Sequence, residues 1–139
     1  MKRILLIEDN GDLSNDIEEA LQDLGFEIKH AGSYLSAKGM WKKYKGEFNA
    51  ILLDLNINPE GLEPKRNSDY FPINSLPFML DIGWDSNMSE KVKVIVYSGY
   101  VDDFKKVCAK FNIPNSSMTI FDKSGTNLSK LINFIKENV

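Results

Sequence analysis

The chain has 139 residues, of which 42% are hydrophobic and 27% charged, and 20 acidic against 17 basic side chains give a formal charge of −3. This length fits one domain with a single core. The single cysteine, Cys108, excludes an internal disulfide and a cysteine-built zinc site. The longest apolar runs have four residues, whereas a transmembrane helix needs about 20, and the mild acidity argues against a nucleic-acid binder. We therefore expect a soluble, cytoplasmic, single-domain protein that binds neither membranes nor nucleic acid directly.

Five short apolar stretches, rich in branched side chains, are the predicted strands. Continuous apolarity, rather than alternation, is typical of strands that are covered on both faces. In chain order these stretches are Ile4–Ile7, a weaker one at Phe26–His30, Ala50–Leu55, Val92–Tyr97 and Met118–Phe121.

Segments with helical spacing lie between these stretches. They are Asp12–Leu24, Ser33–Gly46, a helix ending near Phe111, and Asn127–Val139. Ser33 is the expected N-cap of the second helix and Asp102 that of the third. Alternating strands and helices require crossover connections, which predicts an α/β fold with a parallel sheet and helices on both faces.

The connection between the third and fourth strands is unusually long. Four of the five prolines fall within residues 59–77, so no long helix is expected there, and a short helix is predicted at about Leu76–Trp84. Loops of this length are uncommon and are often functional or mobile. Four aromatic residues of this connection either cover the sheet, which we favour, or form a partner surface; they are Tyr70, Phe71, Phe78 and Trp84.

Polar residues end four of the five apolar stretches, and they are the candidates for chemistry. They are Glu8, Asp9, Asp54, Ser98 and Lys123. Ligands bind at the carboxyl ends of the strands in an open parallel sheet, so these side chains are expected to converge there. A partly open carboxylate cluster suits Mg²⁺. Lys123 would neutralise an anion bound beside the metal, and Ser98 would donate a hydrogen bond to that anion.

This ordered set resembles the receiver domains of response regulators, the phosphoacceptor modules of two-component signalling. The resemblance covers the chain except for about residues 58–91, which we interpret as an insertion. Its motifs are Leu5-Leu6-Ile7-Glu8-Asp9-Asn10, Ile51-Leu52-Leu53-Asp54-Leu55-Asn56, Val94-Ile95-Val96-Tyr97-Ser98-Gly99 and Phe121-Asp122-Lys123. The family has a flavodoxin-like five-stranded sheet in the order 2-1-3-4-5.

The resemblance implies a role for each candidate residue. Asp54 is the expected phosphoacceptor, and Glu8, Asp9, Asp54 and the backbone carbonyl of Asn56 are the expected Mg²⁺ ligands. Ser98 and Lys123 occupy the family's hydroxyl and lysine positions. The implied phosphoryl donor is a histidine kinase or a phosphotransfer protein, with slow self-hydrolysis afterwards and no other enzymatic activity.

Three features depart from the family. Ile120 stands where an aromatic switch residue is usual, and Ser124 where a cis proline is common. A non-proline cis peptide costs about 2.5–4 kcal/mol, so either the Lys123–Ser124 bond is trans or the surrounding structure enforces the cis form. The interval of 44 residues from Asp54 to Ser98 is also longer than usual.

Two other functions stay open. The first is a pseudo-receiver that binds partners without phosphorylation, which the three departures favour and the complete acidic, hydroxyl and lysine set disfavours. The second is a Mg²⁺-dependent phosphatase with an aspartyl nucleophile. Such enzymes have a second Asp two residues after the nucleophile, whereas Gly11 follows Asp9 and Asn56 follows Asp54 at that spacing.

The predicted C-terminal helix reaches nearly to Val139, so we expect one receiver domain over residues 1–139 with no output domain. Signalling would then proceed through contacts with a downstream protein. The expected oligomeric state is a monomer or a weak dimer.

Overall fold

Five parallel strands form one sheet in the order β2-β1-β3-β4-β5, in a computed structural model that describes residues 1–85 and 87–139. The strands are β1 (Arg3–Ile7), β2 (Glu27–Ala31), β3 (Ala50–Leu53), β4 (Lys93–Ser98) and β5 (Thr119–Asp122). Both the α/β class and the flavodoxin-like strand order predicted from the sequence are confirmed.

Six α-helices surround the sheet in the described part of the chain. They are α1 (Gly11–Asp23), α2 (Tyr34–Lys43), α3 (Pro64–Tyr70), α4 (Leu76–Asp81), α5 (Val101–Lys110) and α6 (Leu128–Asn138). A short 3₁₀ helix, Met88–Glu90, precedes β4. Within residues 1–85 and 87–139, every helix is too short or too polar to cross a bilayer.

The two faces of the sheet carry separate cores because successive side chains of a strand point to opposite faces. Leu6 and Leu52 belong to the core that includes Leu131 and Ile135 of α6. Their neighbours Leu5, Ile7, Ile51 and Leu53 belong to the other core, which includes side chains of α2, α4 and α5. Strands buried on both faces explain the unbroken apolar runs of the sequence.

Most predicted boundaries differ from the observed ones by one to three residues. Ser33 caps α2 through a capping box, as predicted. The predicted cap at Asp102 is wrong, because α5 begins at Val101 after Tyr100, and Asp102 lies in its first turn. The third strand was predicted to run to Leu55, but β3 ends at Leu53.

The described part of the long β3–β4 connection, residues 58–91, contains two short α-helices and the 3₁₀ helix Met88–Glu90 rather than one helix. Ser86 of this predicted insertion lies outside the described residues. No long helix runs through residues 59–77, as predicted, but α3 was missed. It begins at Pro64, and proline is favourable in the first turn of a helix. Because α3 buries none of its residues, its sequence has no apolar stripe from which the helix could be predicted.

The aromatic residues of the β3–β4 connection mostly cover the sheet, as we favoured. Phe78 is fully buried in α4, and Tyr70 and Trp84 are partly buried against the same core. Phe71 is the exception, with 64% of its surface exposed. The predicted helix to Trp84 ends earlier, at Asp81, because the chain turns at Gly83 with a φ of 71°.

A cluster of charges ties the β3–β4 connection to α2; we call it the Asp81 cluster. The Asp81 carboxylate accepts hydrogen bonds from Arg66 at 2.7 and 3.0 Å, from Lys38 at 3.1 Å and from the Tyr34 hydroxyl. These donors outweigh the burial of Asp81 and hold the pKa of its carboxyl far below its usual range. Both carboxylate oxygens therefore have partners.

Candidate functional site

The sheet register places four strand ends at one edge. Ile7 lies beside Leu53, Leu53 beside Val96, and Ser98 beside Asp122. Since the strands are parallel, the residues that follow them emerge on the same side. This register brings the predicted site residues together.

Three carboxylates meet at this edge. One carboxylate oxygen from each of Glu8, Asp9 and Asp54 lies within 4.8 Å of the other two. Glu8 is only 2% exposed, Asp54 is half-buried, and Asp9 is exposed. The cluster is therefore anchored in the protein on one side and open to water on the other.

Lys123 joins two of these carboxylates. Its ammonium donates to Glu8 Oε1 at 2.8 Å and to Asp54 Oδ2 at 3.2 Å, and it lies 5.5 Å from the centre of the Tyr97 ring. Burial alone would lower the pKa of Lys123, but the two carboxylates outweigh burial and raise it. Lys123 is therefore a fixed positive charge beside the Asp54 carboxylate.

One ammonium does not neutralise the cluster. Among the described residues, the buried Oε2 atom of Glu8 has no hydrogen-bond partner. Burial, together with the nearby Asp54 carboxylate, raises the pKa of Glu8 to about 8 despite the opposing effect of Lys123. Unpartnered buried carboxylate oxygens are costly, and an additional cation would relieve that cost. The all-oxygen donor set, partly open to water, fits Mg²⁺.

Ser98 lies behind Asp54 and is fully buried. The backbone N–H of Leu55 donates to Asp54 Oδ1 at 2.7 Å and lies 3.4 Å from Ser98 Oγ. A second backbone N–H, from Tyr100, donates to Ser98 Oγ at 3.2 Å. The Ser98 hydroxyl and the Asp54 carboxylate therefore share one N–H group.

The predicted backbone ligand, Asn56, follows Asp54 by two residues in the loop after β3. Its side-chain Nδ2 donates to the Pro72 carbonyl at 2.8 Å, so the residue is held by the β3–β4 connection. The role of its own carbonyl stays a prediction.

The two local departures from the receiver family have simple structural forms. Ile120 is half-buried in β5 and packs against the core on the α5 side of the sheet. The Lys123–Ser124 peptide is trans, since Phe71–Pro72 is the cis bond in the described part of the chain. Ser124 donates to Asp122 Oδ1 through its backbone N–H, at 2.8 Å, and its hydroxyl, at 2.6 Å, which forms the turn without proline.

Sequence reasoning missed three residues at or near the site. His30 Nε2 is 2.7 Å from the Glu8 backbone carbonyl, Tyr97 lies beside Lys123, and Asn74 binds the loop after Asp54. His30 and Tyr97 end predicted strands next to site residues, a signal that could have found them. Asn74 comes from the proline-rich connection, where no periodic pattern fixes its position.

Comparisons with known proteins agree on the architecture. No family model and no curated protein matches the sequence, but solved structures do. The receiver domain of HemR from Leptospira biflexa superposes with a TM-score of 0.69 and 16% identity, over 99% of this chain and 93% of that one. The chemotaxis protein CheY4 of Vibrio cholerae gives 0.62 and 14%, over 100% and 99%.

The chain has the receiver-domain fold. A third match is a structure from a family of redox sensors in the streptococci, described as evolved from two-component response regulators. It superposes with a TM-score of 0.67 and 16% identity, over 99% of this chain but only 50% of that one. The receiver-domain fold alone therefore does not decide the function, which has to be argued from the site.

Proposed function

We propose that this protein is a phosphoacceptor receiver, with Asp54 as the residue that is phosphorylated. The observation that carries the proposal is the convergence of Glu8, Asp9 and Asp54 within 4.8 Å, with the Lys123 ammonium 3.2 Å from Asp54. Glu8, Asp9, Asp54 and the Asn56 carbonyl would hold Mg²⁺. When bound, Mg²⁺ would neutralise charge on the phosphoryl oxygens.

The chemistry that this chain supplies is a nucleophile and fixed positive charge. An Asp54 carboxylate oxygen attacks the phosphorus of a phosphohistidine, the phosphorus–nitrogen bond breaks, and an acyl phosphate forms while the released imidazole takes up a proton from water. Lys123 stabilises the negative charge of the phosphoryl group. Ser98 donates its hydroxyl to a phosphoryl oxygen, a contact that favours movement of Ser98 and of α5 after it.

The proposed donor is a histidine kinase or a phosphotransfer protein in the cytoplasm. The signal is the added charge of about −1.5 to −2 on Asp54, passed on through contacts with a downstream protein. In this proposal the chain is a single receiver domain with an insertion at residues 58–91, and its only catalysis is its own phosphorylation and slow hydrolysis of the acyl phosphate.

Mass spectrometry of the intact protein tests this function. Incubation with acetyl phosphate and Mg²⁺ should add one phosphoryl mass to the wild-type protein, and chelation of Mg²⁺ should prevent it. Asp54→Asn, which keeps the shape of the side chain, should remain unmodified. An unchanged wild-type mass under these conditions contradicts the proposal.

A phosphorylation-independent binding module is the second candidate. Ile120, which replaces the usual aromatic residue, favours it, and so does the occurrence of redox sensors among structures with this fold. Titration with Mg²⁺ separates the two functions, because a phosphoacceptor needs the metal. A wild-type protein that binds no Mg²⁺ at millimolar concentration would favour the binding module.

A further inference from the structure

The loop that follows Asp54 is buried although it has left the sheet. Leu55 is fully buried and Ile57 is 2% exposed, while β3 has already ended at Leu53. Buried backbone N–H and C=O groups outside a sheet need other partners, because leaving them unpaired costs free energy. In this protein, the partners of the Leu55 carbonyl and of both backbone groups of Ile57 come from the β3–β4 connection.

Asn74 supplies two of these partners with one side chain. The Ile57 N–H donates to Asn74 Oδ1 at 2.7 Å, and Asn74 Nδ2 donates to the Ile57 carbonyl at 2.8 Å. The Asn74 amide thus replaces the peptide group of a neighbouring strand. It is itself only 3% exposed, so water does not compete effectively for either bond.

Two more hydrogen bonds join the same segments. The Ser75 N–H donates to the Leu55 carbonyl at 3.2 Å, and Asn56 Nδ2 donates to the Pro72 carbonyl at 2.8 Å. Residues 72–75 therefore hold the loop on both sides of Asn56. The Leu55 N–H at the start of this loop is the group that contacts both Asp54 and Ser98.

We propose that Asn74 is a positioning residue for the site, holding the loop after Asp54 so that the Asn56 carbonyl points toward the carboxylate cluster. This assignment rests on the proposed function, because it presumes that the cluster binds Mg²⁺. It gives the β3–β4 connection a role in the site itself: removal of the Asn74 amide loosens the loop and weakens metal binding without changing any carboxylate.

The test is Asn74→Leu, which has a similar size but no hydrogen-bonding groups. Titration of the ¹⁵N-labelled full chain with MgCl₂, followed by amide NMR, measures the Kd for Mg²⁺ and shows whether the protein is folded. Changes behind the metal ligands typically weaken metal affinity 10- to 100-fold, and we expect about a tenfold increase in Kd.

Arg66→Leu is the matched control. Arg66 holds the same connection through Asp81 and contributes none of the four hydrogen bonds to the loop, so we expect it to lower the melting temperature but leave the Kd for Mg²⁺ unchanged. A merely structural role for Asn74 would give the same pattern. An unchanged Kd in folded Asn74→Leu, or an equal loss of affinity in Arg66→Leu, overturns the proposal.

Asn56→Ala provides a second variant if Asn74→Leu does not fold. It removes only the bond to Pro72 and keeps the backbone carbonyl and both Asn74 bonds, so we expect at most a severalfold increase in Kd. Asn74→Ser, whose hydroxyl cannot reach both backbone groups of Ile57, then tests Asn74 itself: a Kd increase above that of Asn56→Ala supports the positioning role, and a wild-type Kd overturns it. If the wild-type protein itself does not bind Mg²⁺, the proposed function is overturned. The titration of the wild-type protein shows this without any variant.

Discussion

Two charged clusters join distant parts of the chain, and they differ in how many hydrogen-bond donors and positive charges surround each carboxylate. In the Asp81 cluster, Arg66, Lys38 and the Tyr34 hydroxyl surround one carboxylate, whose pKa is held far below its usual range. At the sheet edge, one ammonium from Lys123 serves both Glu8 and Asp54. Burial and Asp54 there raise the pKa of Glu8 to about 8.

This difference separates a structural cluster from a candidate binding site. Donors exceed acceptors around Asp81, so no carboxylate oxygen of Asp81 is left unpaired for an additional cation to stabilise. Acceptors exceed donors around Glu8, whose Oε2 atom has no partner among the described residues. Strongly raised carboxyl pKa values in a cleft are typical of functional sites, whereas lowered ones are typical of satisfied ion pairs.

The largest expected effect is the loss of phosphorylation in Lys123→Gln. Removing one group that stabilises developing charge typically costs about 100- to 1,000-fold in rate, and we expect at least a 100-fold slower reaction with acetyl phosphate. Lys38→Gln, which removes an ammonium from the Asp81 cluster, is the control and should react at the wild-type rate. Equal phosphorylation rates for both variants would show that the two clusters do not differ in function.

Glu8→Gln tests the unmatched carboxylate directly. Because it removes a ligand, we expect a Kd for Mg²⁺ at least about tenfold higher. In metal-free buffer the same change should raise the melting temperature, since the folded protein no longer has to accommodate a poorly solvated carboxylate. A higher melting temperature combined with weaker Mg²⁺ binding is the pattern of a site that sacrifices stability for function.

The pH dependence of this stabilisation follows from the sign of the pKa shift. The folded-state pKa of Glu8 lies above the unfolded value, so the contribution of Glu8 to stability is complete below about pH 4.5 and is lost as the pH rises toward about 8. The gain in melting temperature from Glu8→Gln should therefore be small at pH 5 and larger at pH 8. A gain that is constant with pH would mean that the charge of Glu8 is not its cause.

The sheet and most of the site could be predicted because they follow from local patterns. Buried parallel strands are continuous apolar runs, and the residue after each run must lie at the carboxyl edge. That argument alone brings Glu8, Asp54 and Lys123 together. It cannot supply distances, so the shortage of donors around Glu8 becomes visible only in the structure.

The β3–β4 connection resisted prediction for a physical reason. Its helix α3 has no apolar face and buries no residue. Most of the hydrogen bonds between the connection and the loop after Asp54 are made by the side-chain amides of Asn56 and Asn74. Hydrogen bonds of this kind depend on the tertiary path of the chain, and they produce no periodic pattern in the sequence. The same holds for the Arg66–Asp81 pair.

The smallest expected effect is in the cluster that is already satisfied. Asp81→Asn should lower the free energy of unfolding by about 1 kcal/mol at neutral pH, since charged hydrogen bonds at a partly exposed site are worth little more. Because the folded-state pKa of Asp81 is lowered, its stabilisation is present above the unfolded value, about pH 4, and is lost as the pH falls. The difference in melting temperature between wild type and variant should therefore shrink below pH 4.

Mg²⁺ binding provides the decisive control for Asp81→Asn. The Kd should stay at the wild-type value, because the Asp81 cluster ties the β3–β4 connection to α2 and supplies no bond to the loop after Asp54. The Lys38 side chain is 41% exposed. Lys38→Met should therefore lower the free energy of unfolding by less than Asp81→Asn does, by at most about 0.5 kcal/mol. A change in Mg²⁺ affinity in either variant would show that the two clusters are coupled, and that matching the charges around Asp81 also serves the site.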